Sequence, residues 1–286
     1  MKTPFKILTG ILITLSLPLN GLVFSDILID IDLTEEESGP AETILNTGSL
    51  EGDFEAEFDI PSIETVDGVN AVTLDGNNDW YIGPDASPLT GNTDRSVEAW
   101  VWNPSVPSEE TIFAWGRRGG PDASNFSMLY GNHPSYGALG AWGGNADMPF
   151  YPGGGAPEPN EWHHLVLTYN SQSNERSIYV DGELTNSENN GSFFDTHEFD
   201  DTGLALPMVI GNQNEPNGTR TDALSADLSI AKIKVHDTVL TESDVLDSFN
   251  LDKIKFGKGG PEIISFEASE NTIGPDETVT FTWEID

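Results

Sequence analysis

The stretch Ser96-Val-Glu-Ala-Trp-Val-Trp102 is the most informative part of the chain for its fold. It alternates two kinds of residue, so that the valines and Ala99 lie on one face and Glu98 with the tryptophans on the other. A period of two residues predicts a β-strand, because successive side chains of a strand point to opposite faces of a sheet. The strand therefore has one apolar face for a core.

Two further stretches have the same character. Glu161-Trp-His-His-Leu-Val-Leu-Thr-Tyr169 is typical of a buried strand, and Ser177-Ile-Tyr-Val-Asp-Gly182 is typical of a strand that ends in a hairpin turn. Other short strands are predicted at residues 27–33, 69–74, 80–82, 111–115, 126–130, 138–142, 207–210 and 228–235. Many short strands separated by dense turns predict an all-β fold, a two-sheet antiparallel sandwich.

A single short helix is predicted near the end of this region. Thr241 can cap it, and Asp244 occupies the fourth position of a pattern that resembles a capping box. Val245, Leu246 and Phe249 would then form its packed face.

These strings resemble, in order, the laminin-G-like domains of the concanavalin A-like jelly-roll class. Residues 96–102 resemble the family's "sVEaWV" strand, and residues 161–169 resemble its "W-H-H" strand. Residues 177–182 resemble "lYvDG", Val209-Ile210-Gly211 resembles a strand end, and residues 230–241 resemble the closing strand and its exit. The resemblance covers residues 26–252 and implies a jelly roll. It does not select a function, because this fold hosts lectins, adhesion modules, enzymes and spacers.

The two ends of the chain have their own patterns. Residues 1–25 combine Lys2 and Lys6 with a short apolar stretch and small residues before Asp26, which predicts a signal peptide and a secreted or cell-surface protein. No second apolar segment predicts a membrane span in the mature chain. Residues 253–260 read as a linker, and residues 261–286 resemble the first strands of an immunoglobulin-like or PKD-type domain.

Composition narrows the class of partner. The chain has 48 acidic residues against 12 Lys and Arg, for a net charge of −36. A field of this sign repels phosphate backbones, so we expect no nucleic-acid binding. The absence of cysteine excludes thiol catalysis and cysteine metal sites. A glycan or an extracellular protein remains as the expected partner.

Calcium is the one cofactor that the sequence suggests. The loop Asp75-Gly-Asn-Asn-Asp79 has the D-x-N-x-D spacing of a Ca²⁺ loop, with Asp75, Asn77 and Asp79 as candidate ligands. It lacks the glutamate that an EF-hand needs at its twelfth position, and a plain turn explains the same residues. The laminin-G family often has an acidic pair in the closing strand that helps to hold structural Ca²⁺, whereas this chain has Ala231 and Lys232 there.

The pair His163-His164 has the composition of a metal site but not the spacing. Adjacent residues on a strand point to opposite faces, so the two rings cannot converge on one ion. We therefore expect both histidines to be packing residues.

One motif leaves an enzyme open. Some glycoside hydrolases on this jelly roll use E-x-D-x-E, and Glu51-Gly-Asp-Phe-Glu55 has that form. On a strand, Glu51, Asp53 and Glu55 would share one face, with the two glutamates as nucleophile and acid/base. Gly52 stands where that family has an aliphatic residue, and the motif precedes the strands expected before it, so an exposed acidic strand edge is the favoured explanation.

The segment from Trp115 to Asp147 is the predicted binding region. It concentrates aromatic, planar polar and glycine residues, which suit the C–H faces and hydroxyl groups of sugars. The expected ligand contacts are Trp115, Arg117, Asn125, Tyr136, Trp142 and Asp147. The alternative is that the tryptophans pack between the sheets. The sequence thus favours a non-catalytic carbohydrate-binding or adhesion module, with a glycoside hydrolase or a spacer without ligand as alternatives.

Overall fold

The computed structural model describes residues 26–106, 108–133, 135, 137–189, 191–260, 263–268 and 281–285. The predicted signal peptide lies outside these residues. The strands are β1 (Ile27–Asp32), β2 (Gly39–Pro40), β3 (Thr43–Ile44), β4 (Phe54–Phe58), β5 (Ser62–Val66), β6 (Val69–Thr73), β7 (Asp79–Asp85), β8 (Arg95–Trp102), β9 (Thr111–Gly116), β10 (Asn125–His133), β11 (Gly137–Trp142), β12 (Met148–Pro149), β13 (Trp162–Asn170), β14 (Glu175–Val180), β15 (Glu183–Glu188), β16 (Pro207–Ile210), β17 (Ser229–His236), β18 (Ile263–Ala268) and β19 (Phe281–Ile285). The α-helix is α1 (Glu242–Asp252).

Two antiparallel sheets form a sandwich, as the sequence predicts for a jelly roll. The first sheet has the order β15-β14-β13-β8-β17-β6-β5-β2, with β1 also paired to β17. The second has the order β12-β11-β10-β9-β16-β7-β4-β3. Many paired strands are far apart in the sequence; β8, for example, pairs with β17.

The core lies between the sheets and receives one face of each strand. Val97 and Val101 of β8 and Leu165 and Leu167 of β13 are fully buried in it. The opposite face of β8 is buried as well, because α1 and the residues after it cover it. Trp100 on that face stacks on Phe256 with ring centroids 4.0 Å apart. The segment 253–260, expected as a linker, therefore packs against the domain.

The helix begins where the sequence predicts. Thr241 Oγ1 accepts a hydrogen bond from Asp244 N at 3.2 Å, and Asp244 Oδ2 accepts one from Thr241 N at 2.8 Å, which completes a capping box. Val245 is fully buried and Phe249 packs near Trp100. The prediction for Leu246 is wrong: this side chain is 46% exposed, because it faces away from the sheet.

Strands β18 and β19 pair with each other in a separate two-stranded antiparallel sheet. The resemblance of this region to an immunoglobulin-like or PKD-type domain stays a prediction. Among the residues that the structure describes, no helix has the length and apolar character required to cross a membrane.

Candidate binding site

A cleft of about 260 Å³ opens at one end of the second sheet, where β9, β10 and β11 meet. The turn between β9 and β10 forms one side, and the end of β11 with the turn after it forms the other. Arg117, Asn125 and Trp142, three of the predicted ligand contacts, line this cleft together. Its other lining residues are Gly119, Gly120, Pro121, Asp122, Ala123, Ser124, Gly143 and Gly144.

Glycine allows the wall after Trp142 to approach its neighbours closely. A Cβ at Gly143 would lie 2.9 Å from the carbonyl oxygen of Asn125 and would collide with the ring of Phe194. Gly144 adopts a φ of +66°, which residues with a side chain rarely adopt. Larger residues at these two positions would change the shape of the cleft.

Asp147 supports this wall from behind. Its Oδ1 accepts a hydrogen bond from Gly143 N at 2.8 Å. Burial raises the pKa of Asp147 to about 6, and the nearby Glu109 carboxylate adds to the rise, although the hydrogen bonds from Gly143 and Gly144 oppose it. Asp147 thus holds the cleft in shape at a cost in electrostatic energy when it is ionised.

Arg117 lines the cleft, and its guanidinium group is bound to two other protein groups. Its Nε donates to the carbonyl oxygen of Gly120 at 2.9 Å, and its guanidinium forms an ion pair with Asp201. These contacts fix the turn between β9 and β10, and the negative charge of Asp201 balances the positive charge of Arg117.

Trp142 is half-buried, with Arg118 and His133 beside its indole. The Arg118 guanidinium lies 5.7 Å from the ring centroid, and the His133 ring centroid lies 5.6 Å away. Both groups approach Glu109, with His133 Nε2 at 3.3 Å and Arg118 Nη2 at 3.8 Å. Glu109 is 6% exposed, and its oxygens accept no hydrogen bond within the described part of the chain.

Asn125, which lines the cleft, has one amide oxygen without a hydrogen-bond partner in the part of the chain that the structure describes. Its Nδ2 donates to Ser127 Oγ at 2.7 Å and to Gln213 Oε1 at 3.0 Å, which fixes the orientation of the amide. Its Oδ1 is buried and has no hydrogen-bond partner among the residues described. A buried acceptor without a donor is costly, so this position favours a ligand or water that donates a hydrogen bond.

Three predicted contacts do not line the cleft, and the first is Asp147, which bonds to Gly143 of its wall. Trp115 is fully buried between the sheets, where it stacks on Phe126 at 4.4 Å and donates from Nε1 to the carbonyl oxygen of Leu89 at 3.1 Å. The prediction that Trp115 contacts a ligand is therefore wrong, and the packing alternative applies to it. Tyr136 lies outside the described residues.

The E-x-D-x-E motif does not form a row of carboxylates on a strand. Glu51 and Asp53 precede β4, and the chain between them turns at Gly52 with a φ of +118°. Asp53 Oδ1 accepts from Asn46 N at 2.9 Å, and Glu55 Oε2 accepts from Thr43 Oγ1 at 2.7 Å. All three carboxylates are exposed, so the catalytic assignment to Glu51, Asp53 and Glu55 fails in this structure.

The D-x-N-x-D loop has the hydrogen bonds of a turn. Asp75 Oδ1 accepts from Asn77 N at 3.0 Å, and the Asp79 carboxylate accepts from the N–H groups of Asp75 and Asn77. Burial raises the pKa of Asp79 to about 6. No three His, Cys, Asp or Glu side chains group as metal ligands in the described ranges. The turn explains these hydrogen bonds without an ion, and a Ca²⁺ site at Asp75, Asn77 and Asp79 stays a prediction.

The adjacent histidines lie apart, as strand alternation requires. His163 Nδ1 is 2.8 Å from Asp181 Oδ2, and its ring contacts Tyr130 of the core. His164 Nε2 is 3.2 Å from Glu98 Oε2 on the opposite face of the sheet.

Sequence reasoning missed two acidic residues of the cleft. Asp122 is exposed at its mouth, with Oδ1 3.0 Å from the position that a Cβ of Gly144 would take. Asp201 pairs with Arg117 from a distant loop. Asp122 lies inside the predicted binding segment, beside Gly119-Gly120-Pro121, and this turn signal could have identified it; Asp201 carries no such signal.

The comparisons with known proteins agree with this architecture. The family model of the concanavalin A-like lectin/glucanases superfamily matches residues 75–246. No curated protein matches the sequence.

Several solved structures share the fold at low identity. Domain 4 of an extracellular family GH43 arabinanase from Geobacillus stearothermophilus, in complex with arabinotriose, is 15% identical with a TM-score of 0.55, over 78% of this chain and 98% of that one. The binding domain of Paraclostridial Mosquitocidal Protein 1 is 13% identical with a TM-score of 0.51, over 79% and 52%. The ligand-binding domain of botulinum neurotoxin serotype D, in complex with N-acetylneuraminic acid, is 12% identical with a TM-score of 0.51, over 84% and 56%.

At these identities the solved structures establish the fold, and the family match establishes the relationship. The match covers the strands from β7 to β17 and the start of α1. This chain is a member of the concanavalin A-like lectin/glucanases superfamily.

Proposed function

We propose that this chain is a secreted, non-catalytic carbohydrate-binding module, and that its sugar site is the cleft beside Trp142. The observation that carries the proposal is the convergence of Arg117, Asn125 and Trp142 on one glycine-walled cleft. A half-buried indole can pack on the C–H face of a sugar ring, while backbone groups and planar side chains bond its hydroxyl groups.

The size and chemistry of the cleft support this use. Its volume of about 260 Å³ is close to the lower end of small-ligand sites, so it suits one or two sugar residues at the end or bend of a chain. The unpartnered Oδ1 of Asn125 would accept a hydrogen bond from a sugar hydroxyl. Two structural neighbours were solved with sugars, arabinotriose in one and N-acetylneuraminic acid in the other.

A glycan array probed with residues 26–286 tests the proposal. The expected result is binding to a defined set of glycans that is lost in Trp142→Ala, because the aromatic platform is removed. Trp102→Ala is the matched control: it removes another half-buried tryptophan, which packs on Trp162 in the first sheet, away from the cleft.

Binding that survives Trp142→Ala would move the sugar site elsewhere. An array without any signal for the unmodified chain would favour the spacer alternative. Thermal unfolding of both variants shows whether either loss reflects a damaged fold.

A further inference from the structure

The charges around the cleft suggest which sugars it accepts. Asp122 and Arg117 line it, and Asp147 and Asp201 bond to residues that line it. Arg118 packs against Trp142 and pairs with Glu109 and Glu215, so carboxylates outnumber guanidinium groups in this region. The chain as a whole carries a net charge of −36, so its overall field has the same sign as this local excess.

Both arginines are engaged by protein carboxylates. Arg117 pairs with Asp201 and holds Gly120, and Arg118 lies 3.4 Å from Glu215 and 3.8 Å from Glu109 while it packs against Trp142. A clamp for a sugar carboxylate or sulfate needs a guanidinium group that is free to donate two parallel hydrogen bonds. Arg117 instead forms part of the cleft wall, and Arg118 supports Trp142.

The remaining surfaces suit uncharged or positively charged groups. Asp122 at the mouth is an exposed carboxylate, and Asn125, which also lines the cleft, has a buried amide oxygen without a hydrogen-bond partner among the described residues. The indole of Trp142 already lies near one cation, Arg118, and its face attracts positive charge. Hydroxyl and ammonium groups supply donors to each of these positions, whereas carboxylates and sulfates supply none.

We propose that the cleft selects neutral sugars and amino sugars and rejects sugars that carry carboxylate or sulfate groups. This inference rests on the proposed function and adds the ligand class. Selection comes from repulsion by the surrounding carboxylates and from the absence of an uncommitted guanidinium among the described residues that line the cleft.

The test is an array that carries neutral, deacetylated amino, and sialylated, uronic or sulfated glycans, probed at pH 7.5 and low salt. The expected result is that every bound glycan is neutral or amino-bearing, with acidic derivatives of the same backbone at least about fivefold weaker. An acidic glycan bound more strongly than its neutral parent would overturn the inference and leave the proposed function intact. An array without any signal would remove the proposed function, and the inference with it.

Asp201→Asn tests the cause. Removal of the partner of Arg117 frees its guanidinium, so acidic glycans should gain signal while neutral glycans change little. Asp85→Asn is the matched control, because it makes the same change in net charge at an exposed residue outside the cleft lining. Equal gains in the two variants would assign the rejection to net charge and contradict the role of the local ion pair. Raised salt should also strengthen binding of acidic glycans, since it screens repulsion.

Discussion

Glu98 beneath helix α1 is a buried carboxylate and Asp147 beside the cleft is a half-buried one, and they lie in different parts of the sandwich. Glu98 accepts from His236 Nε2 at 2.9 Å and lies 3.2 Å from His164 Nε2, and Ser248 Oγ donates to it as well. Burial opposes its ionisation, but these partners hold the pKa of Glu98 well below its usual range. Burial raises the pKa of Asp147 to about 6, because its backbone partners do not offset the loss of water.

The two carboxylates differ in their hydrogen-bond partners, and this difference distinguishes a structural network from the candidate binding site. Beneath α1, the carboxylate of Glu98 has donors on both oxygens and is covered by a helix and aromatic rings, although Nδ1 of its partner His164 has no hydrogen-bond partner among the described residues. At the cleft, Glu109 and Asn125 have buried oxygens without hydrogen-bond donors among the described residues, and open space lies beside Asn125. Buried polar groups that are satisfied specify a fold, whereas unsatisfied groups beside a cleft favour a ligand.

The largest effect is expected from Glu98→Ala. The change leaves two histidines and a serine without their shared acceptor under α1, so we expect a loss of about 3 kcal/mol in the free energy of unfolding. Urea unfolding at pH 7 measures it. Glu35→Ala is the control, because Glu35 forms an exposed ion pair with Lys255 and should contribute less than about 1 kcal/mol. Equal losses in both variants would contradict the structural role given to the buried network.

Gly143→Ala tests the cleft wall, as Glu98→Ala tests the network beneath α1. The new Cβ would collide with Phe194 and press on Asn125, so we expect a loss of about 1 to 3 kcal/mol in stability, and weaker glycan binding. Gly153→Ala is the matched control, since a Cβ there meets nothing within 4 Å. Chemical unfolding and the array measure the two effects. Unchanged binding in a folded Gly143→Ala protein would show that the wall after Trp142 does not touch the sugar.

Much of the sandwich was predictable from local pattern. Strands such as β8 and β13 have a period of two and long apolar faces, so their positions are visible in the sequence. Strands β2, β3 and β4 were missed because they are short and rich in glycine, proline or acidic residues. Strands β2 and β3 lie at sheet edges and β4 pairs with β3, so their pairing comes from the fold and not from their own composition.

The site was predictable only in part, for a different reason. Residue type predicted Arg117, Asn125 and Trp142 as ligand contacts, and the structure brings all three to one cleft. Residue type also predicted Trp115 as a contact, which the structure does not bear out. Trp115 differs only in direction: its indole points between the sheets, beside the buried guanidinium of Arg95 at 5.7 Å. The partner of Arg117, Asp201, is far along the chain, and only the folded loops bring the two together.

Asp147→Asn gives the smallest expected effect, and the effect depends on pH in a way that distinguishes Asp147 from Glu98. Because the pKa of Asp147 is about 6 when folded and lower when unfolded, the folded chain binds the proton more tightly. The stability that this proton contributes is complete below about pH 4 and is lost as the pH rises through about 6. Asparagine keeps an oxygen for Gly143 N without the charge, so the variant should gain about 1 kcal/mol over the unmodified chain at pH 8 and nothing at pH 4.

Unfolding by urea at pH 4, 6 and 8 measures the gain, with Asp85→Asn as the control for the same substitution at an exposed position outside the cleft. For Glu98 we expect the opposite pH dependence of stability. A carboxylate whose pKa is lowered by folding stabilises the fold above its unfolded pKa, and this contribution is lost in acid. A pH-independent difference for Asp147→Asn would mean that this carboxylate is as well solvated as an exposed one. The contrast between the cleft and the network beneath α1 would then reduce to geometry alone.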